Sequence, residues 1–205
     1  MKQTGIKQLV FPLYWWILSW GSCPVFAQVI NEVQSTQYKT LQSADRQYYD
    51  WIEIYNPTGR DIDLSGYGLS DSQKKPHKWT FPVETSIEAQ GYLIVYASGL
   101  DTNINDEIHS NFKLASAGES LYLSNAKANL IDMVHIPALE AEISWQRSTD
   151  GATVWAMSHK ATPGASNHPS YATTKAEAPT FSHKGGFYTS AEQLKLEITA
   201  ENEVR

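Results

Sequence analysis

The sequence predicts an all-β protein in which two sheets pack as a sandwich. Three observations support this. Short alternating or apolar segments recur along residues 28–167, and turn residues such as Gly, Pro, Asn and Asp separate them. No window keeps apolar residues at helical spacing over several turns. Many short strands with this punctuation are typical of β-sandwiches.

The clearest alternation places Trp51, Glu53 and Tyr55 on one face of a strand. Ile52 and Ile54 lie on the opposite face, which suits a packed core. A break at Asn-Pro follows directly, as expected where a strand ends. The remaining predicted strands are 29–33, 62–64, 69–70, 78–81, 92–96, 120–124, 130–136, 143–147 and 154–157.

Two further patterns refine this prediction. Asp150-Gly151 separates two predicted strands and is a typical β-hairpin turn. Residues 92–96 are nearly all apolar, which indicates a strand covered on both faces. Tryptophans in the predicted strands lie beside aliphatic residues, so we expect them to pack in the core rather than to form a ligand platform. These tryptophans are Trp51, Trp79, Trp145 and Trp155.

The N-terminus has the features of an export signal. Lys2 and Lys7 supply the positive region, and an apolar stretch over residues 9–20 follows. Small residues near position 27 predict cleavage between Ala27 and Gln28, so residues 1–27 form the signal peptide and the protein is secreted or cell-surface. The stretch is shorter than the ~20 residues that cross a bilayer, so we expect no membrane span after signal removal. A retained anchor and lipidation of Cys23 are the alternatives.

The charge and cysteine content narrow the function classes. The chain has 205 residues, with 16 basic against 22 acidic ones and a net charge of −6. Loss of Lys2 and Lys7 would leave 14 basic residues and a net charge of −8. Such a chain has no electrostatic reason to bind nucleic acid. Cys23 is the single cysteine, so the exported part cannot form disulfides and depends on its packed core.

The composition changes after residue 167. Residues 168–178 are rich in Ala, Thr, Lys and Glu without periodicity, which is typical of a linker. Residues 179–205 contain one clear alternating segment and too few apolar residues to bury a core alone. The predicted organisation is therefore a signal peptide at 1–27, a sandwich at 28–167, a linker at 168–178 and the truncated start of a second β-domain at 179–205.

No catalytic motif is found in the sequence. The six histidines show no close pairing of the kind that binds zinc, and no Gly-x-Ser-x-Gly elbow occurs. We expect most histidines to be solvent-facing or at strand edges, and Ser98 to serve a turn. Asp50 and Glu53 point to opposite faces of a strand, which argues against a paired-carboxylate mechanism. The sequence therefore predicts no catalytic residue, no cofactor and no enzyme activity for this chain.

One segment offers oxygen ligands at alternating positions, as a calcium site requires. The candidates are Asp101, Asn103, Asn105 and Asp106. The segment lacks the Gly at position six and the Glu at position twelve of an EF-hand loop. An ordinary polar loop without metal is the alternative.

Aromatic residues in a polar loop are a second candidate site. Tyr48 and Tyr49 lie in this loop, and we expect Tyr38 near them. Tyrosines on a rigid sandwich edge can stack on sugars or contact proteins, so a protein or a glycan at the cell surface is the expected partner. Covering the core is the alternative role.

Several separated motifs together resemble bacterial lamin-tail domains over about residues 29–167. The resemblance implies an immunoglobulin-like sandwich without catalytic residues of its own. The motifs, in chain order, are Ile30-Asn31-Glu32-Val33, Asp50-Trp51-Ile52-Glu53-Ile54-Tyr55-Asn56-Pro57, Asp63-Leu64-Ser65-Gly66-Tyr67, Leu69-Ser70-Asp71, Lys78-Trp79-Thr80-Phe81-Pro82, Gly91-Tyr92-Leu93-Ile94-Val95, Asn111-Phe112-Lys113-Leu114 and Thr162-Pro163-Gly164-Ala165.

The tail resembles the start of a chitobiase C-terminal-type β-domain through Pro179-Thr180-Phe181-Ser182 and Gly185-Gly186-Phe187-Tyr188. Such modules resemble accessories beside larger extracellular proteins. The leading functional prediction is an exported, non-catalytic interaction or scaffolding module. The alternative is the N-terminal accessory region of a larger secreted enzyme or CotH-type kinase-like protein, whose catalytic domain lies outside this chain.

Overall fold

The computed structural model describes residues 28–168, 180–182 and 197–199. These residues form strands, turns and loops, with no helix among them. The strands are β1 Val29–Gln34, β2 Trp51–Tyr55, β3 Ile62–Asp63, β4 Gly68–Ser70, β5 Trp79–Thr80, β6 Ser86–Ile87, β7 Tyr92–Tyr96, β8 Thr102–Ile104, β9 Glu107–His109, β10 Glu119–Ser124, β11 Leu130–Ile136, β12 Ser144–Arg147, β13 Trp155–Ser158, β14 Thr180–Phe181 and β15 Ile198–Thr199.

The larger sheet has seven strands in the order β13–β12–β1–β2–β7–β9–β8. Its neighbours pair antiparallel except β7 and β9, which run parallel with Val95 opposite Ile108. Ile52 of β2 lies opposite Val33 of β1 and Val95 of β7. Apolar side chains of three adjacent strands therefore share the inner face of this sheet.

The smaller sheet has four strands in the order β11–β10–β4–β5. Leu69 of β4 lies opposite Leu123 of β10 on one side and Trp79 of β5 on the other. A separate two-stranded ladder, β3–β6, pairs Ile62 with Ile87. The strands of these two sheets correspond to predicted segments, except β6, which the sequence did not predict.

One buried apolar cluster joins the inner faces of the two sheets, which makes the protein an immunoglobulin-like β-sandwich and confirms the predicted fold class. The cluster consists of Ile30, Val33, Ile52, Ile54, Leu64, Leu69, Trp79, Phe81, Ile87, Val95, Ala97, Ile108, Phe112, Leu114, Leu121, Leu123, Val134, Ile136, Leu139 and Ile143. Burying an aliphatic side chain of this kind stabilises a fold by roughly 1.5–3 kcal/mol.

All four tryptophans pack against the fold, but only Trp79 lies in the core between the sheets, where all four were expected. Trp79 belongs to the buried cluster, and Trp145 and Trp155 stack on each other and pack against it from the edge. Trp51 is fully buried on the opposite, outer face of the seven-stranded sheet. Its indole nitrogen donates a 3.0 Å hydrogen bond to Gln34.

A charged pair joins the two sheets at a β-bulge in β1. The register shifts between Ile30 and Glu32, so that Asn31 is left without a partner in β2. Asp132 of β11 accepts from the Ile30 amide at 2.8 Å, and Arg147 of β12 donates to the Ile30 carbonyl at 2.7 Å. Arg147 also donates to Asp132 at 2.8 Å. This arrangement satisfies the backbone next to the bulge and connects the edge of one sheet to the other.

The two ends of the seven-stranded sheet differ in what they carry. At one end, β1 is connected to β2 by a long loop, and Trp51 pairs with both Gln34 and Tyr96. We call this end the loop pole. At the other end, Val29 pairs with Tyr55, so the described chain begins there. We call it the entry pole.

Parts of the predicted domain organisation lie outside the described residues. Ala27 and the predicted signal peptide precede them, and Gln28 is the first described residue, with its side chain buried. The predicted linker lies almost wholly in the gap after His168. Within the predicted second domain, the described residues form one antiparallel pair, β14 with β15. The described residues contain no helix of the length and apolar character needed to span a membrane.

Candidate functional site

Two acidic side chains lie next to each other on the outer face of the seven-stranded sheet. Glu32 of β1 and Glu53 of β2 are opposite each other, and both are fully buried. The β-bulge turns Asn31 towards the same face, where its amide donates 3.0 Å hydrogen bonds to Glu53 and Asp150. Buried acids need such partners because an unpaired buried polar group costs about 1–3 kcal/mol.

Residues 160–168, which we call the closing segment, cover these two acids. The backbone amide and hydroxyl of Thr162 donate to Glu32 Oε2 at 3.0 and 2.9 Å. The amide of Gly164 donates to Glu53 Oε2 at 2.7 Å. The sandwich is therefore completed by main-chain donors of the closing segment that reach acceptors on β1 and β2.

Asp150, in the β12–β13 hairpin turn, fixes the end of the closing segment. It accepts from the Asn167 amide at 3.0 Å and from the Ser166 hydroxyl at 2.5 Å. Tyr92 donates to it at 2.7 Å from the start of β7. Because Asp150 and Tyr92 lie at the entry pole, the closing segment ends at the same pole where the described chain begins.

Glu32, Glu53 and Asp150, with the residues of the closing segment that donate to them, form what we call the closing network. Its carboxyl groups differ in charge. Burial raises the pKa of Glu53 to about 8, and it also raises the pKa of Glu32. Burial acts in the same direction on Asp150, but hydrogen bonds from Asn167, Ser166 and other donors outweigh it and lower the pKa. At neutral pH the network thus combines an ionised Asp150 with a largely protonated Glu53.

The Thr162 hydroxyl lies between Glu32 and Asn167. The single hydroxyl hydrogen of Thr162 faces Glu32 Oε2 at 2.9 Å and Asn167 Oδ1 at 3.0 Å. This hydrogen can be donated to only one of these oxygens at a time. The closing network is therefore an arrangement that holds the fold. This pairing of acids was not predicted from the sequence. The signal for it was one glutamate within each of two apolar strand segments, Glu32 in the first and Glu53 in the second.

The β1–β2 loop, residues 35–50, dominates the loop pole. It has no strand or helix of its own, yet side chains fix it from several sides. Gln37 is buried and bridges the loop, since its amide accepts from the Leu41 amide at 2.9 Å and donates to the carbonyls of Leu41 and Tyr49 at 2.7 Å. Asp50 accepts from the Thr36 amide at 2.7 Å and so joins the two ends.

Two glutamates from other elements hold the β1–β2 loop against the sandwich. Glu142, in the β11–β12 connection, accepts from the amides of Tyr38 and Lys39 and from the Thr40 hydroxyl. Glu107 of β9 accepts from Ser43 and Ala44 at 2.6 and 2.9 Å. The loop is consequently fixed to two different parts of the fold.

The predicted aromatic site lies on this loop, with one difference. Tyr38 and Tyr48 project into solvent, with 62% and 39% of their surface exposed, and the Lys39 ammonium lies 5.8 Å from the Tyr38 ring centre. Tyr49 is half-buried, because its ring packs edge-on against Tyr96 and His109. The loop thus displays two tyrosines and uses the third to attach itself.

Beneath the loop, the fold brings together a serine, a histidine and a glutamate that the sequence analysis did not connect. Ser98 Oγ lies 3.1 Å from His109 Nδ1, and Glu107 Oε2 lies 3.7 Å from His109 Nε2. Ser98 and His109 are only 2% and 1% exposed, so a substrate cannot reach them in this conformation. The predicted turn role of Ser98 is present as well, since its hydroxyl accepts from the Leu100 amide.

His109 is an exception to the expectation that most histidines face solvent or lie at strand edges. Its position opposite Tyr96 at the end of β9 places it under Tyr49, which the sequence pattern did not indicate. The other described histidines are exposed: His77, His135, His159 and His168.

The four calcium candidates lie in and beside the β8–β9 hairpin. Asn103 is in β8, and Asn105 and Asp106 form the turn with positive φ angles of 46° and 69°. Two successive residues of this kind are typical of a tight hairpin turn, and Asn and Asp adopt it more readily than most residues. The described part of the chain contains no group of three or more His, Cys, Asp or Glu placed to hold a metal ion. Calcium binding by Asp101 and its neighbours therefore stays a prediction.

Comparison with known protein families places this geometry in context. The family model of the Lamin Tail Domain matches residues 28–138. These residues span strands β1 to β11 and include both buried glutamates and the whole β1–β2 loop. No curated protein matches the chain significantly. The family match covers more than half of the sequence and agrees with the sandwich described above. The chain belongs to the Lamin Tail Domain family.

Proposed function

We propose that this protein is an exported, non-catalytic interaction module that binds a cell-surface protein or glycan through its β1–β2 loop. The observation that carries the proposal is the loop itself. Loops of more than about 12–15 residues without secondary structure are uncommon in compact domains and usually serve function or are disordered. Residues 35–50 form such a loop, and the hydrogen bonds of Gln37, Glu107 and Glu142 hold it in one conformation.

Rigidity favours binding because less conformational entropy is lost when a partner docks. The exposed residues of the loop combine aromatic surface with polar groups, as in many binding loops. Tyr38 and Tyr48 supply the aromatic surface, and Gln42, Arg46 and Gln47 supply exposed hydrogen-bonding groups.

The arrangement of the poles supports the same proposal. The described sandwich begins at Val29 and its closing segment ends by Asp150, both at the entry pole. The β1–β2 loop lies at the opposite end of the sheet, where Gln34 pairs with Trp51. A domain joined to its neighbours at the entry pole would present the loop away from the attachment.

The acidic groups that could suggest an enzyme have structural partners instead. Glu32, Glu53 and Asp150 bind the closing segment, and Glu107 binds the loop. Export rests on the sequence of residues 1–27, which lie outside the described part of the chain.

A binding experiment tests the proposal. The purified chain would be titrated onto glycan arrays and bacterial envelope fractions, together with a Tyr38→Ala/Tyr48→Ala variant and a Met133→Ala control. Met133 is a suitable control because it is half-exposed on β11, in the other sheet. We expect the double variant to lose at least tenfold in affinity and the control to bind normally. Binding that survives the double substitution would reject the loop as the site.

A further inference from the structure

We propose that protonation of His109 releases the β1–β2 loop, so that mild acid regulates the interaction surface. The inference deepens the proposed function of the loop and rests on it. It is drawn from the way one buried histidine and one glutamate share the attachment of the loop to the sandwich.

The β1–β2 loop packs over the side chain of His109. Its ring is 1% exposed and stacks on Tyr96 of β7 with ring centres 4.9 Å apart. Tyr49 of the loop covers it edge-on at 5.4 Å. Movement of the Tyr49 end of the loop away from the ring would therefore open the ring to water.

One oxygen atom of Glu107 serves both the loop and the histidine. Glu107 Oε2 accepts from the Ser43 hydroxyl at 2.6 Å and from the Ala44 amide at 2.9 Å. The same atom lies 3.7 Å from His109 Nε2, which is buried and has no hydrogen-bond partner. A hydrogen bond between Nε2 and Glu107 would need this carboxylate to move away from its present contacts with the loop.

The hydrogen bonds around Ser98 fit a neutral ring. The Ser98 hydroxyl accepts from the Leu100 amide at 3.2 Å, so its own hydrogen is available for His109 Nδ1 at 3.1 Å. That donation makes Nδ1 an acceptor and places the ring hydrogen on Nε2. A second ring hydrogen on Nδ1 would remove this acceptor, so the Ser98 hydroxyl would have to rotate away from its present hydrogen bond.

The groups that face the ring come from three elements. Glu107 is on the same strand as His109, Tyr96 is on β7, and Tyr49 and Asp45 belong to the loop, where Tyr49 donates to Asp45 at 2.7 Å. Burial lowers the pKa of His109, and the negative charges of Glu107 and Asp45 oppose this effect without overcoming it. The closed loop thus favours the neutral ring.

Linkage then gives the direction of the effect. Opening of the loop would return His109 to water, where the pKa of histidine is about 6.5, so acid favours the open state. Between pH 7.5 and 5.0 the open state can gain at most about 30-fold in population, if the closed state does not bind the proton at all. The Glu53 carboxyl has the opposite sign, since its raised pKa makes acid stabilise the closing network.

Hydrogen exchange of the purified full chain tests the proposal without any ligand. Protection factors, corrected for the intrinsic pH dependence of exchange, would be measured at pH 7.5 and 5.0 for the loop amides. We expect protection at Ala44 and Arg46 to fall by between fivefold and 30-fold in acid, while β2 and β7 stay protected. This acid-dependent loss of protection should disappear in the His109→Gln variant. It should persist in His135→Gln, which alters an exposed histidine on β11.

A second measurement keeps the proposal testable if His109→Gln does not fold. Proton NMR of the wild-type chain gives the titration midpoint of each histidine, and His109 should titrate below the exposed histidines. Equal loop protection at both pH values would overturn the proposal, and so would a His109 midpoint at or above 6.5. Neither hydrogen exchange nor NMR involves a partner, so a negative result in either would leave binding by the loop untouched. Conversely, the binding experiment can fail while the loop still responds to pH.

Discussion

Glu32 and Glu53 lie directly opposite each other on neighbouring strands, fully buried beneath the closing segment. Two ionised carboxylates in this position would repel each other in a medium of low dielectric constant. The fold reduces the repulsion by raising the pKa of both acids, that of Glu53 to about 8, and by directing the donors of Thr162 and Gly164 at them. The outer face of the sheet is thereby held by hydrogen bonds that depend on the state of these acids.

The raised pKa of Glu53 predicts how stability depends on pH. Its pKa is about 8 in the folded chain against 4.5 in the unfolded chain, so the folded state binds the proton more tightly. The stabilisation is fully present below pH 4.5 and is lost as the pH rises towards 8. The contribution of Glu53 should decline by up to about 1.4 kcal/mol per pH unit in this window. Chemical denaturation at a series of pH values measures it.

A Glu53→Gln variant is the control for this prediction, because a carboxamide is neutral at every pH in the window. Its free energy of unfolding should show a smaller decline between pH 5 and 8 than that of the wild-type chain. Parallel profiles for the two proteins would show that Glu53 is ionised in the folded state.

Removal of Asp150 should open the closing network. Asp150→Ala leaves the Asn167 amide and the hydroxyls of Ser166 and Tyr92 without their acceptor. We expect the free energy of unfolding to fall by about 3 kcal/mol. Each hydrogen-bond donor left without an acceptor costs about 1–3 kcal/mol, and water can reach some of them. Thermal and urea unfolding measure the loss. Glu88→Ala, at an exposed glutamate, should change stability by less than about 0.5 kcal/mol.

The pair between Arg147 and Asp132 should act as one unit. Both side chains also bind the backbone of Ile30, next to the β-bulge. Truncation of either side chain therefore disturbs the same part of β1. Arg147→Ala should lower the free energy of unfolding by about 3–5 kcal/mol, because it leaves the partly buried Asp132 carboxylate without its partner. A double-mutant cycle with Asp132→Ala should give a coupling energy of at least about 1 kcal/mol. Additive losses would mean that the two side chains act independently.

Glu142 should control the order of the β1–β2 loop without controlling the fold. Glu142→Ala removes the acceptor for the amides of Tyr38 and Lys39 and for the Thr40 hydroxyl. We expect limited proteolysis within residues 35–50 to become at least tenfold faster, while the melting temperature changes by only a few degrees. Glu88→Ala, at an exposed glutamate outside this connection, is the matched control. Unchanged cleavage would show that the loop does not depend on Glu142.

Local patterns in the sequence were sufficient for most strands. The bounds of β2, β7 and β11 agree with the prediction, because each carries a run of alternating or apolar residues between turn signals. The β8–β9 hairpin was missed. Its strands contain polar residues and are three residues long, and its turn depends on the positive φ angles of Asn105 and Asp106.

The candidate sites depended on contacts between distant residues, which alternation cannot reveal. The sequence correctly placed Glu53 on the face opposite Ile52, but it could not show that residues 160–168 return to cover that face. Likewise, the three tyrosines of the loop were visible in the sequence. Their separation into two exposed rings and one anchor follows from the parallel pairing that puts His109 beside Tyr96.

Hydroxyl-radical footprinting tests binding by the β1–β2 loop most directly. The purified chain would be oxidised alone and after incubation with bacterial envelope fractions, and the modification of Tyr38, Tyr48 and Met133 would be quantified by mass spectrometry. We predict that oxidation of both tyrosines falls at least threefold on binding while oxidation of Met133 is unchanged. Protection of Met133 with both tyrosines still fully reactive, or no protection at any of the three, would contradict the account.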